Sequence, residues 1–361
     1  MADTLLDRAR RLGHERFAAL AAQGEHGRVN RPLVRALGDE GLLELALLGS
    51  AGELCALREG LAHGCTEAET ALALQGLGGH PILRSPLRDE WMPRLASGEA
   101  VAAFALSEPD AGSDAAALAL RADRDGDGYR LTGTKMWISN APEADVYAVF
   151  ARTGEEGAKG VTAFVVPRES EGVSGEPIEL IAPHAVGRLD FEGVRAGADQ
   201  VIGEVGGGFA VAMETLDLFR PSVGAFAVGM AQAALDAAVE HTTAREAFGK
   251  PLGRLQGVSH QLAEVATAVQ AARLLVHDAA RQYDEGVRQV RKASAMAKLF
   301  ATETAQKAVD VAVQVHGARA LEKGHLLEHL YREVRAPRIY EGASEVQREI
   351  IARELFREAE R

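Results

Sequence analysis

The sequence predicts a multidomain α+β protein: a helical N-terminal domain, a small β-barrel or sandwich, then a bundle of long helices. Three observations carry this. Residues up to about Gly98 have the apolar spacing of helices. From about Val101 short apolar runs alternate with turn residues. Beyond Gly206-Gly207-Gly208 come alanine-rich stretches far longer than strands. The expected domains are 1–98, 99–205 and 206–361, and a chain of 361 residues is long enough for them.

In the first part, Leu33, Leu37, Leu42, Leu43 and Leu45 give dense helical spacing. Thr66 is expected to cap a helix through Leu72, Leu74 and Leu77, which Gly78-Gly79-His80-Pro81 ends. In the middle part, Arg124-Asp125-Gly126-Asp127-Gly128-Tyr129 reads as a hairpin turn. Tyr129 to Gly133, Val146 to Phe150 and Val161 to Val166 read as strands, the last ended by Pro167. In the third part, helices are expected over Val223–Arg245, Leu255–Tyr283 and Gln289–Val315, with a last one from near Ser344. Long helices with short links pack as antiparallel bundles.

Bulk properties exclude several classes. The formal net charge of -12 disfavours general attraction to nucleic acid or an anionic membrane. Cys55 and Cys65 are too few for a disulfide framework, which suits a reducing compartment. Met1-Ala2-Asp3-Thr4-Leu5-Leu6 is soon followed by charge and has no apolar core of signal-peptide length. No continuous transmembrane span is expected, and the cytoplasm is the expected location.

Five segments carry possible chemistry. Gly203-Glu204-Val205-Gly206-Gly207-Gly208 lacks the βαβ context of a dinucleotide fingerprint and reads as a loop. The turn Ser107 to Asp114, with Pro109 and Gly112, aims backbone N–H groups and hydroxyls at a polar edge, although an ordinary β-turn uses the same residues. In Gly133 to Ala141, Trp137 suits stacking on an aromatic cofactor with Ser139 beside it, or else filling a core. Arg245-Glu246-Ala247-Phe248-Gly249-Lys250 ends one helix and Gln256 opens the next; its arginine suits a pyrophosphate or simply the helix dipole. Finally, Glu341 sits between Tyr340 and Gly342 just before a helix. Poor solvation there would raise its pKa toward that of a general base, while a solvated helix-terminal charge is the plainer alternative.

In their order and spacing these segments resemble the acyl-CoA dehydrogenase family, closely from about Ala103 to Leu355. The resemblance implies an N-terminal helical domain, a middle β-barrel and a C-terminal four-helix bundle. It also implies FAD and an acyl-CoA substrate, with an electron-transfer flavoprotein as acceptor and a homotetramer or homodimer as the assembly. Phe104, Leu106, Ser107, Gly112, Ser113, Trp137, Ile138 and Ser139 would then meet the flavin, with Ser113 also near the substrate. Arg245, Phe248, Gln256, Gln314 and Gly317 would meet the adenosine-diphosphate half of a neighbouring subunit's FAD. Ala343 and Glu345 would border the cofactor, and Asp217, Arg220, Tyr340 and Gly342 the acyl-CoA.

Glu341 matches the family's catalytic base. Some branches carry the base on an earlier helix; that position is Phe219 here, which cannot abstract a proton and is expected to favour shorter or compact acyl chains. The reaction implied is α,β-dehydrogenation to the 2-enoyl-CoA. The alternatives are an oxygen-using flavin oxidase or monooxygenase on the same fold, and a non-catalytic nucleic-acid-binding relative. Three departures stand out: a shortened N-terminal domain, Ala318 and Arg319 after Gly317 where relatives have more glycines, and Ala343 in place of a common threonine. All three bear on the site, and the last two point to weaker FAD binding.

Overall fold

The computed structural model describes residues 4–287 and 290–360. The expected helix start at Gln289 and the terminal run Met1-Ala2-Asp3 lie outside these residues. Twelve α-helices and ten strands follow one another among the described residues. The helices are α1 (Leu5–Leu12), α2 (Ala18–Ala21), α3 (Arg31–Asp39), α4 (Leu42–Leu48), α5 (Ala51–Gly64), α6 (Thr66–Gly79), α7 (Arg88–Ala96), α8 (Gly208–Ala244), α9 (Gln256–Asp284), α10 (Val290–His316), α11 (Leu326–Glu333) and α12 (Ser344–Ala359). The strands are β1 (Ala102–Ala105), β2 (Arg121–Asp125), β3 (Gly128–Ser139), β4 (Val146–Arg152), β5 (Val161–Pro167), β6 (Val173–Pro177), β7 (Val186–Ala196), β8 (Val201–Ile202), β9 (Glu246–Ala247) and β10 (Lys250–Pro251).

The chain forms two compact units. One contains Phe17–Gly49 and Thr70–Leu216; the other contains the N-terminal residues to Arg16, Ser50–Glu69 and Asp217 onward. We call them the sheet unit and the helical unit.

In the sheet unit, strands run in the order β6-β7-β3-β2-β4-β5-β8, with β1 added parallel on β4. The expected hairpin is present: Asp125 pairs with Gly128 across Gly126-Asp127, and Gly126 takes the positive φ (62°) that such a tight turn requires. Apart from Arg152 and Thr162, the runs 146–152 and 161–167 are apolar, and they are almost wholly buried, as strands covered on both faces must be. Buried Gln75 fixes α6 to the start of β1: its amide donates to Leu95 O and Ala100 O and accepts from Ala102 N.

In the helical unit, α10 packs on α9 and α12, and α5 packs on α1 and α9. Small residues set the close approaches. A Cβ at Gly224 of α8 would lie 2.7 Å from Val276 on α9. Ser50 and Glu53 form a capping box at the start of α5. Asp284, at the end of α9, accepts from Ala51 N and Gly52 N at 2.8 and 3.0 Å.

Some expectations change. Thr66 is the first residue of α6 rather than its cap, and its hydroxyl meets His329 at 2.6 Å. Helix α8 starts at Gly208, well before Val223: Gly206 (φ 79°) ends the loop, and Gly208 packs so closely on β5 that a Cβ there would lie 2.5 Å from Ala163 N. α8 is also long and apolar enough to cross a membrane by length and composition, contrary to the expectation of no such span, but its apolar stretch is mostly buried inside the protein.

Candidate active site

The base segment is built by α10 and the loop before α12. Glu341 has φ 50° and Gly342 φ 96°, two successive left-handed residues that reverse the chain. For a non-glycine residue this conformation is strained and persists only where its surroundings fix it. Three side chains do so. Lys298 Nζ donates to Tyr340 O at 3.0 Å and to Gly342 O at 2.6 Å. Gln347 Nε2 donates to Gly342 O at 2.9 Å. Glu303 accepts from Ser344 Oγ at 2.8 Å and pairs with Arg338 at 2.9 Å, holding both ends of the segment.

The Glu341 carboxyl is different. Its Oε2 is buried and has no hydrogen-bond partner among the described residues. Burial raises its pKa, while the charges of Arg58, Lys298 and Arg220 pull the other way. These cations are themselves anchored. Arg58, buried on α5, forms an ion pair with buried Glu69 and donates to Ser222 Oγ at 2.8 Å. Arg220 is paired with Asp217 at 2.9 Å, and Asp217 also accepts from Arg291 at 2.9 Å. Phe219, between them in sequence, is fully buried. Asp217, Arg220, Tyr340, Glu341 and Gly342 thus belong to one cluster; Glu341 O lies 3.4 Å from Arg220 Nε. Ala343 occupies the N-cap position of α12 and supplies no capping bond, and Glu345 faces solvent beside Arg348 at 3.5 Å.

A second group lies in the sheet unit. β3 is bulged between Lys135 and Ile138, so Met136 and Trp137 leave the ladder with β7. Met136 N donates instead to Ser107 O at 3.0 Å. Trp137 takes φ 56° and is 53% exposed, while Ile138 is buried and Ser139 half-buried. Lys135, fully buried, donates to Leu106 O at 2.9 Å and to Glu108 at 2.8 Å. Glu108 also accepts from Ala119 N and Leu120 N at 2.6 and 2.9 Å. The turn from Ser107 is therefore fastened to the bulged strand, with Gly112 and Ser113 exposed at its tip. Phe104 packs on Phe150 with ring centroids 4.8 Å apart, and Leu106 is buried.

The third group lies where α8 and α10 end. β9 and β10 form a small hairpin whose turn residues Phe248 and Gly249 both have positive φ (54° and 75°). Phe248 is 90% exposed. His241, one turn before Arg245, stacks on His316, two residues after Gln314, at 4.1 Å. That contact brings the Arg245 corner and the Gly317 loop together. Arg245, Gln256, Gln314 and Gly317 are all exposed.

These residues suit a flavin dinucleotide. An indole and a phenyl ring held outward by left-handed backbone offer flat apolar surface, and Arg245 and Arg319 crowd positive charge about His241. The sequence did not single out Lys298, Arg58, Glu69, Gln347, Lys135 or Glu108. One signal was available. Lys298 falls on the apolar stripe of α10, with Ala301, Ala305 and Ala308, where a charge needs a specific reason.

Residues 103–194 match the model of the acyl-CoA dehydrogenase middle domain, and 206–356 that of its C-terminal domain. The chain is 34% identical to cyclohexane-1-carbonyl-CoA dehydrogenase of Geobacter metallireducens, over 97% of this chain and 96% of that protein. It is 37% identical to the mitochondrial short-chain specific acyl-CoA dehydrogenase of Bos taurus, over 95% and 87%. The solved butyryl-CoA dehydrogenase of Megasphaera elsdenii superposes with a TM-score of 0.91 at 30% identity, covering 99% of each chain. With identities of this size across nearly its whole length, the chain belongs to the acyl-CoA dehydrogenase family of oxidoreductases.

Proposed function

We propose that the protein converts a short or compact acyl-CoA thioester to its 2-enoyl-CoA, with Glu341 as the base. As a member of this family it is a flavoprotein that uses FAD. The observation that carries the reading is the buried Oε2 of Glu341, which has no hydrogen-bond partner among the described residues. A buried oxygen left unpaired is costly, and a substrate α-C–H provides a reason to keep it so.

Glu341 would take the α-proton at Oε2. Its raised pKa suits this, because a more basic carboxylate accepts a carbon-bound proton more readily. The anchored cations Arg58, Arg220 and Lys298 surround the carboxyl group and limit that rise. Developing negative charge on the thioester oxygen needs donors already in place, and the fastened 340–342 backbone supplies a rigid frame for one. Bound FAD would supply the two-electron acceptor for the β-hydrogen. Trp137, Ser139, Ser107, Ser113, Phe104 and Leu106 would hold the flavin, the outward indole offering apolar surface and the serines polar partners.

Arg245, Phe248, Gln256, Gln314 and Gly317 lie exposed, which suits an adenosine-diphosphate half reaching them from a second subunit; we assign a homotetramer or homodimer on that basis. Fully buried Phe219 beside Arg220 favours a compact acyl group. An electron-transfer flavoprotein is the proposed acceptor. The two buried free cysteines suit a reducing compartment, and we place the protein in the cytoplasm.

The test is anaerobic mixing of the purified protein with a panel of acyl-CoA thioesters of graded length and branching, followed by flavin absorbance. Bleaching by short or cyclic acyl-CoAs is expected. A long straight-chain acyl-CoA with the highest kcat/KM would overturn the chain-length assignment. Oxygen consumption matching turnover would overturn the choice of acceptor.

A further inference from the structure

Lysines are almost never fully buried unless paired with a carboxylate, yet Lys298 is fully buried on α10 and both its acceptors are carbonyl oxygens. Those carbonyls belong to Tyr340 and Gly342, the residues on either side of Glu341. A neutral donor would serve to tie down the backbone, and Gln347 already ties Gly342 O at 2.9 Å. The extra feature of a lysine is its charge. Glu341 is the largest charge favouring that cation, and the cation in turn favours the carboxylate form of Glu341.

We propose that Lys298 is a positioning residue for the reaction: its ammonium group fixes the left-handed Glu341 turn and biases the neighbouring carboxyl group toward its ionised, proton-accepting form. This rests on Glu341 being the base. The ammonium group sits where three elements meet. Glu341 and Tyr340 come from the base loop, Arg220 from α8, and Glu303 from α10 itself, with Glu345 of α12 beyond. Arg58 of α5 acts on the same carboxyl group. Burial lowers the Lys298 amine to about 8 against the opposing pull of Glu341, so it remains cationic at neutral pH. Removing that charge leaves Glu341 with one cation fewer and raises its proton affinity further.

The experiment compares Lys298→Met, Lys298→Gln and Lys298→Arg holoenzymes with wild type. Two readouts are used: the pH profile of kcat/KM, and the infrared band of a protonated carboxylic acid, assigned to Glu341 by its loss in Glu341→Gln. In Lys298→Met and Lys298→Gln the acid limb and the infrared titration should both move up by about one pH unit or more. The corresponding loss is roughly tenfold at pH values below the limb, with KM moving less than kcat. Lys298→Arg should restore most of the shift. It keeps the charge, so it tests the proposal even if the neutral variants do not fold. A profile unchanged in Lys298→Gln, or one as displaced in Lys298→Arg as in the neutral variants, overturns the proposal. Full activity in Glu341→Gln would instead overturn the base assignment itself, so the two failures are distinguishable.

Discussion

Among the described residues, each unit buries one lysine completely, and the two have opposite surroundings. In the sheet unit Lys135 meets a carboxylate, Glu108, which is further satisfied by two backbone N–H groups. In the helical unit Lys298 donates to two carbonyls, and the carboxylate between them keeps a buried oxygen without a hydrogen-bond partner among the described residues. Burial lowers both amines to about 8. A carboxylate whose acceptor sites are filled fastens a turn; one left partly empty beside a fixed cation remains able to take a proton. The contrast sets a structural use of a buried lysine beside the chemical use that we propose for Lys298.

The largest effect should come from the unpaired carboxyl group. Glu341→Gln should bind acyl-CoA but lower the rate of flavin reduction by a factor on the order of 10²–10⁴, the usual contribution of a general base. Stopped-flow bleaching at full speed would remove Glu341 from the mechanism. In wild type, kcat/KM should rise with pH through a limb above the ordinary carboxylate value of 4.5, since burial lifts Glu341.

The paired lysine should respond in stability rather than chemistry. Lys135→Met leaves Glu108 buried with its backbone donors alone and should cost about 3–5 kcal/mol in denaturant unfolding. The sign of its pH dependence is fixed. A folded pKa near 8 against an ordinary 10.5 means that wild-type stability from this site is fully present above 10.5 and falls as pH drops toward 8. The deficit of the variant should therefore widen as pH rises over that window. A constant deficit would mean that Lys135 titrates normally.

Smaller effects sharpen the picture. Trp137→Ala should weaken FAD binding by about tenfold, the scale of one lost aromatic stack, with little change in melting temperature because the indole is largely uncovered. Equilibrium dialysis checks this; an unchanged affinity would detach Trp137 from the flavin. Ala343→Ser should add about 1 kcal/mol by supplying the side-chain cap that α12 lacks, read as a higher melting temperature.

The order of helices, sheet and helices was legible in the sequence because period and length differ so strongly between the parts, as in the alternation of turns and short runs from Val101 against the long alanine-rich tract of α9. Strands β6 and β7 were not: Val173-Ser174-Gly175-Glu176-Pro177 carries glycine, proline and charge, and it is defined by its pairing with β7 rather than by propensity. The helix α11, eight residues long, is too short for its period to stand out. In the site, Glu341 was visible from its neighbours Tyr340 and Gly342. Its supports Arg58, Glu69 and Lys298 were not, because they reach it from helices distant in sequence and become recognisable only as charges inside a closed core.

Among the described residues, four non-glycine residues have left-handed backbone: Trp137, Asn140, Phe248 and Glu341. Asparagine adopts this conformation readily; the other three do not. Glycine at any of those three would relieve local backbone strain of about 1–3 kcal/mol. A laboratory selection for heat resistance that ignored turnover would therefore be drawn to positions 137, 248 and 341 and would erase residues to which we assign flavin binding and proton abstraction. Directed evolution of this protein needs those three codons held fixed while the rest of the chain is varied.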